Sequence, residues 1–418
     1  MVEKPNTMSE PLVKKSLLAT LSRRHGKAAE EPGDRYVAVA IQTGSEAVIK
    51  KGEEKKNLKR IADVIAAAVF ISEQDLPVKL VALPEGAITG WAVDSVYEGD
   101  HLYGVRNLYD PIPNETTDRL GELCKAYGFY LCGQMLATDP EFFKDRFFNF
   151  AFIIDPRGKI ILKHRKTAMA RIEQTCNPFD IWDAVIEKYG EDVEKLLQEL
   201  FPVARTEIGN IGALICAEGT FPEAARALAL NGAEIIYRPT YVEPYVGNEM
   251  WEVQNRAHAI FNTCYVIAPN LGSHTFHPEV YTSNHNGGRS MIIDYRGRII
   301  SNVPTETDTF ASAIIDIEQL RDYRVRSLFF NLLAQFRAEL YQVVYEAAVK
   351  MGGIYPKNMA LDDVSYFRPA NRDEVIKYCV NKLVEKGIYV PPKGWKPYEI
   401  SKEMKEKIEK YSRTSRRW

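Results

Sequence analysis

The segment Ile211-Gly-Ala-Leu-Ile-Cys216-Ala-Glu-Gly-Thr-Phe-Pro-Glu223 combines a reactive side chain with a local geometry suited to it. The apolar run reads as a strand, and Pro222 fits the first turn of a following helix, where Glu223 complements the positive helix end. A thiol at such a turn stands at a sheet edge, where backbone N–H groups can face a developing oxyanion. Alone, Cys216 reads better as an inert buried thiol at a strand end. Two other segments end in ionisable groups. Val81-Ala-Leu-Pro-Glu85 places a carboxylate just past an apolar strand, partly out of water, and Ile161-Leu-Lys-His-Arg-Lys166 closes a strand with a basic cluster. Each is commonplace by itself. It is their order along the chain, acid, then base, then thiol, that carries information.

The elements that must position these groups follow from periodicity. Arg35–Gln42 reads as the first strand and Glu53–Ser72 as an amphipathic helix, with Leu58, Ile61, Ile65 and Ala68 at helical spacing. Strands are expected at 78–83, 129–136, 147–154, 159–163, 203–207, 211–216, 234–237, 264–268 and 310–317, with two more flanking Tyr295-Arg-Gly297. Helices are expected at 114–127, 180–200, 222–231, 249–262 and 327–350. Alternation of strands and helices argues an α/β fold, and the hairpin-type turns at Arg157-Gly158 and Arg296-Gly297 argue mixed sheets. Residues 1–34 read as an N-terminal arm, 35–350 as one large domain, and 351–418 as a C-terminal extension.

Composition narrows the class. Among 418 residues, 54 Lys plus Arg against 56 Asp plus Glu give a net charge of −2, so no general electrostatic footprint for nucleic acid exists. With 45% apolar residues the chain can bury a large core. The six cysteines stand at irregular spacings without a C-x-x-C pair, which reads as reduced thiols of a cytoplasmic protein, not a disulfide framework or a zinc site. No apolar run is long enough to cross a membrane, and no secretory signal is visible.

The ordered set Pro84-Glu85, Arg165-Lys166 and Cys216, with Phe221-Pro-Glu-Ala-Ala-Arg226, Asn231-Gly-Ala-Glu-Ile-Ile236, Trp251 to Asn262, Tyr265-Val266, Asn270 and Gly288–Gly297, resembles the nitrilase (carbon–nitrogen hydrolase) superfamily over residues 35 to about 345. The resemblance implies an αββα four-layer sandwich and a Glu85–Lys166–Cys216 catalytic triad, Lys166 being preferred to Lys163 because the family motif ends in Arg-Lys. It also implies a second glutamate after the lysine, matched by Glu173 in Ala170-Arg-Ile-Glu-Gln174, although the usual proline after Arg-Lys is missing. The chemistry is coherent. A free thiol has a pKa of ~8.5 and needs a base. Glu85 can take the proton and return it to a departing amine, while Lys166 and a backbone N–H near Ala217 offset charge on the substrate oxygen. No metal or organic cofactor is required.

Cys216-Ala-Glu-Gly-Thr-Phe-Pro-Glu223 is similar to the amidase branches, whereas nitrilases proper carry Cys-Trp-Glu-Asn. Amide hydrolysis through a thioester is therefore favoured, then N-carbamoyl amide hydrolysis, then nitrile hydrolysis. A catalytically silent nitrilase-fold binding protein is the reading from another class. Arg238, in Tyr237-Arg-Pro-Thr240, is a candidate for a substrate carboxylate, or else part of a surface or interface salt bridge. His274 and His277 are spaced by three in what reads as a loop, without an evident third metal ligand. The apolar stretch 327–350 and the extension beyond it suggest a homo-oligomer that exchanges its C-terminal segment between subunits.

Overall fold

The computed structural model describes residues 35–413 apart from 75, 242–248, 281 and 286. The N-terminal arm expected at 1–34 lies outside the described residues. In chain order the strands are β1 Arg35–Gln42, β2 Gly44–Glu46, β3 Val78–Ala82, β4 Tyr130–Thr138, β5 Phe147–Ile154, β6 Ile160–Arg165, β7 Val203–Ala204, β8 Ile211–Ala213, β9 Ile235–Tyr237, β10 Tyr265–Ala268, β11 Ser273–His277, β12 Thr282–His285, β13 Met291–Ile293, β14 Ile299–Asn302 and β15 Thr309–Asp316. The α-helices are α1 Glu54–Ser72, α2 Ala92–Ser95, α3 His101–Asn107, α4 Glu115–Tyr127, α5 Trp182–Tyr189, α6 Val193–Leu200, α7 Pro222–Leu230, α8 Met250–Asn262, α9 Ile317–Arg326, α10 Ala338–Lys350, α11 Pro369–Glu385 and α12 Lys402–Arg413.

Two six-stranded mixed sheets, ordered β15-β1-β3-β4-β5-β6 and β14-β13-β10-β9-β8-β7, pack face to face. Strand alternation builds the layers. In β1, Tyr36, Ala38 and Ala40 point between the sheets, where they meet Ile211, Ala213, Ile235 and Tyr237 of the second sheet. Val37, Val39 and Ile41 point outward onto Leu58, Ile61 and Ile65 of α1. The second sheet sends Ile236, Val266 and Ile293 outward onto Ala225 and Leu228 of α7 and Ala259 of α8. The result is the helix–sheet–sheet–helix sandwich expected from the motifs. The helix ends follow local chemistry. Asn114 caps α4 by accepting from the Thr117 N–H, and Gly128 closes it with φ 74°.

Several expected elements differ. The single helix at 180–200 is two helices, α5 and α6, because Gly190 takes φ 83°. The helix at 327–350 begins only at Ala338. The segment carrying His274 and His277 is strand β11, not a loop, in a small third sheet with β12 and β2. His274 is buried there, with Nδ1 2.9 Å from the Ser45 hydroxyl. The extension beyond 350 folds back onto its own chain: Met359, Phe367, Val375, Met404 and Ile408 join the core cluster on the outer face of the first sheet.

Candidate active site

The described termini of β3, β6 and β8 converge at one end of the sandwich. Glu85 follows β3, Lys166 follows β6, and Cys216 follows β8. The first two therefore come from one sheet and the thiol from the other. Alternation along β6 separates the two candidate lysines: Lys163 faces out, while Leu162 and His164 face in. Lys166, one residue past the strand, is 0% exposed. Its main-chain N–H still donates to the Asn149 carbonyl of β5 (2.9 Å), which fixes where its side chain starts.

The Lys166 ammonium donates to Glu85 Oε1 at 2.8 Å and to Glu173 Oε2 at 2.6 Å. Asn149 bridges the same two carboxylates from the other side, its Nδ2 donating to Glu85 Oε1 at 2.8 Å and to Glu173 Oε1 at 2.9 Å. Gln134 orients Asn149, donating to its Oδ1 at 2.6 Å, and its own Oε1 accepts from the Gly86 N–H at 2.7 Å. Thr175 adds a hydroxyl donor to Glu173 Oε1 at 2.8 Å. The Cys216 thiol donates to the Tyr241 carbonyl at 3.8 Å, and the Tyr241 N–H donates to Glu85 Oε2 at 3.0 Å, so one residue's main chain touches both the thiol and the Glu85 carboxylate. Cys216 itself sits at φ 43°, a left-handed conformation that a non-glycine residue holds only when its surroundings impose it.

Electrostatics follows from burial. Burial pushes the Glu85 carboxyl above its usual range, with Lys166 pulling it down and Glu173 adding to the rise. Burial alone would lower the Lys166 ammonium, but Glu173, Glu85 and Cys216 hold it well above its usual value. Burial, and then the Glu85 charge, push the Cys216 thiol up to about 12, against the pull of Lys166. These shifts favour the protonated Cys216 thiol and the charged Lys166 ammonium.

These groups border a cavity of ≈ 570 Å³ whose wall is mostly apolar, with Trp91, Met169, Ile172, Phe221, Met250 and Phe276. Ala217, the residue after the thiol, also lines it. Arg238 lines it too, and its burial rules out the alternative reading as a surface salt bridge. It is buried beneath the nucleophile turn and makes no ion pair among the described residues. It donates to Asn255 Oδ1 (2.8 Å) and Gln254 Oε1 (2.6 Å) and lies over the Trp251 ring. A Cβ at Gly219 would fall 2.2 Å from the guanidinium. The side chain thus packs under the turn while it borders the cavity. Burial lowers its pKa to about 10.

The sequence reading missed the supporting groups. Asn149 and Gln134 were in principle visible, as single amides inside otherwise apolar strands, where a polar side chain must find a partner. His164 and Glu218 form a second buried pair. Glu218 accepts from the Ile215 N–H (2.5 Å), the Thr167 N–H (2.7 Å) and the Thr167 hydroxyl (2.6 Å), and lies 3.0 Å from His164 Nε2. It ties the nucleophile turn to the chain just past Lys166.

The carbon-nitrogen hydrolase family model matches residues 37–325. The chain belongs to the carbon-nitrogen hydrolase family. It is 31% identical over 180 residues to a deaminated glutathione amidase of Synechocystis sp., covering 42% of this chain and only 60% of that enzyme. It is 27% identical over 290 residues to an omega-amidase of Xenopus tropicalis, covering 69% of this chain and 92% of that one. The fold is shared with Saccharomyces cerevisiae Nit3, a member of branch 10 of the nitrilase superfamily (TM-score 0.54, 24% identity, 71% of this chain and 95% of that one). It is also shared with a carbon-nitrogen hydrolase of Helicobacter pylori G27 (TM-score 0.56, 19% identity, 74% of this chain and 98% of that one).

Glu218 supplies a test of this framework. Burial disfavours its carboxylate, yet His164 and the Thr167 donors hold its pKa below the usual value. A carboxyl depressed in the fold stabilises above its unfolded pKa, and that contribution disappears as pH falls through the folded value. Glu218→Gln, which turns an amide N–H₂ toward these donors, is expected to cost about 1.5–3 kcal/mol at neutral pH. Urea unfolding should show the gap to wild type narrowing in acid; a gap independent of pH would contradict the assignment.

Proposed function

We propose that this protein hydrolyses a linear amide through a thioester on Cys216, with Glu85 as general base and acid, Lys166 as the charge partner of the substrate oxygen, and Glu173 as the group that positions the substrate. The observation that carries the reading is the Lys166 ammonium held between Glu85 and Glu173 beside a thiol in one cavity. Attack moves the thiol proton to Glu85 as the C–S bond forms. Collapse of the tetrahedral species breaks the C–N bond, and the same proton leaves with ammonia or an amine. Water, deprotonated by Glu85, then adds to the thioester; the C–S bond breaks to give a carboxylic acid, and Glu85 returns the proton to the departing Cys216 sulfur. Lys166 and the N–H near Ala217 face the oxygen that gains charge. The amidases among the relatives support the amide over the carbamoyl and nitrile readings. The apolar wall and the size of the cavity, within the ~300–1,000 Å³ typical of small-molecule sites, fit an uncharged apolar acyl group.

Incubation with a panel of short amides, carbamoyl amino acids and nitriles, with ammonia as readout, is expected to show release from amides. Cys216→Ala should remove it by about 10³-fold or more. Release that survives the substitution would rule out the thioester route, and silence on the whole panel would favour a binding protein. Because Glu85 must be ionised to act and its carboxyl is raised, kcat/KM is expected to fall as pH drops through a value above the ~4.3 of a free glutamate. An acid limb at or below that value would remove Glu85 from the role of base.

We further infer that the protein is a homo-oligomer. None of the 13 residues of α10 is buried on its own chain, although Leu340, Val343, Val344 and Val349 line it. So short a helix is marginal in water without packing. Tyr345 of α10 bonds Glu223 of α7, and the exposed Phe221, Val253 and Phe261 continue the apolar surface, which a second copy would cover. Val343→Glu combined with Val344→Glu should shift the mass in solution toward the single chain; an unchanged mass, whether single-chain or oligomeric, would place any interface elsewhere.

A further inference from the structure

Residues 167–177, which carry Glu173, form an irregular connection between β6 and the short turn before α5. Its ends are tied to the sandwich. At one end Thr167 donates to Glu218, and at the other the Cys176 N–H donates to the Phe147 carbonyl at 3.0 Å. Its middle has little regular structure of its own, yet it must hold a carboxylate within hydrogen-bond reach of Lys166 and Asn149. The support comes from α11, beyond the end of the family match at residue 325. Arg372 is 3% exposed and makes no ion pair among the described residues. Its Nη1 donates to the carbonyl of Glu173, and its Nη2 donates to the carbonyl of Thr175 at 2.9 Å. The rings of Tyr366 and Phe367 lie under the guanidinium, each 5.5 Å from it. Asp373, the next residue, pairs with Arg171 of the same loop through two contacts of 2.5 Å.

A buried guanidinium is costly unless its donors are used. Here two of them are spent on main-chain oxygens that flank the functional side chain. A fork that grips residues 173 and 175 together fixes the backbone from which the Glu173 carboxylate reaches inward, something the point charge of a lysine does less well. Thr175, gripped by the same fork, also donates its hydroxyl to Glu173. We propose that Arg372 is a positioning residue for Glu173, making the C-terminal extension a working part of the active site. The proposal rests on the reading of Glu173 given above.

The test uses the full chain and the best amide from the panel. Arg372→Met is expected to lower kcat/KM by about 10- to 100-fold, the scale on which a displacement of about 1 Å is felt. Arg372→Lys should restore part of the loss. In a Glu173→Asp background, where the carboxylate is already withdrawn, Arg372→Met should add little. Loss of equal size in both backgrounds, or wild-type kcat/KM in a folded Arg372→Met protein, would overturn the proposal. Should Arg372→Met fail to fold, Asp373→Asn, which removes only the outer pair, decides the matter. A fall of several-fold that vanishes in the Glu173→Asp background supports the proposal, and no change overturns it. If Glu173→Asp and Glu173→Gln themselves have no effect, the reading of Glu173 fails and not the placement of Arg372.

Discussion

A single ammonium buried between two carboxylates governs this architecture. Lys166 has no water to solvate it, so Glu85 and Glu173 must supply its counter-charge at 2.8 and 2.6 Å, and each carboxylate must in turn be satisfied on its remaining oxygen. Asn149 accounts for part of that demand, and the Tyr241 and Thr175 donors for more. Removing Lys166 would leave two carboxylates buried together without a counter-charge. The excess negative charge also keeps the neighbouring thiol protonated.

The larger plan was legible because it is periodic. Alternation in β1 and helical spacing in α1 are properties of neighbouring residues, and so is the change of pattern at Cys216. Glu85, Lys166 and Cys216 are each commonplace alone after an apolar strand; their order along the chain and the family resemblance it carries single them out. Where local pattern misled, a single residue decided the outcome. Gly190 splits a charged stretch that otherwise reads as one helix, and pairing with β2 makes a strand of the histidine-bearing segment. Arg238 looked like a surface or ligand-binding cation. Its burial at the cavity wall depends on Gly219, Asn255 and Gln254, which sequence proximity does not bring together.

The extension was the least legible part, for a physical reason. Its contacts with the site are long-range. The helices α11 and α12 carry ordinary amphipathic patterns that say nothing about what they cover. Only the folded chain shows that Arg372 touches the loop of Glu173, that Arg146 donates to the carbonyls of Ala360 and Leu361, and that Phe367 stacks on His101. A family match that ends at residue 325 could not supply this information.

The distance along the chain between Glu173 and Arg372, 199 residues, has a bearing on biosynthesis. A ribosome makes protein at ~5–20 residues per second, so the loop emerges at least ten seconds or so before its clamp exists. Likewise, β1 waits for β15 before its outer edge is paired. The thiol, the base and the ammonium are all made while the growing chain still lacks the parts that align them. A nascent chain therefore carries Glu85, Lys166, Glu173 and Cys216 before the helix that grips the Glu173 loop has been made.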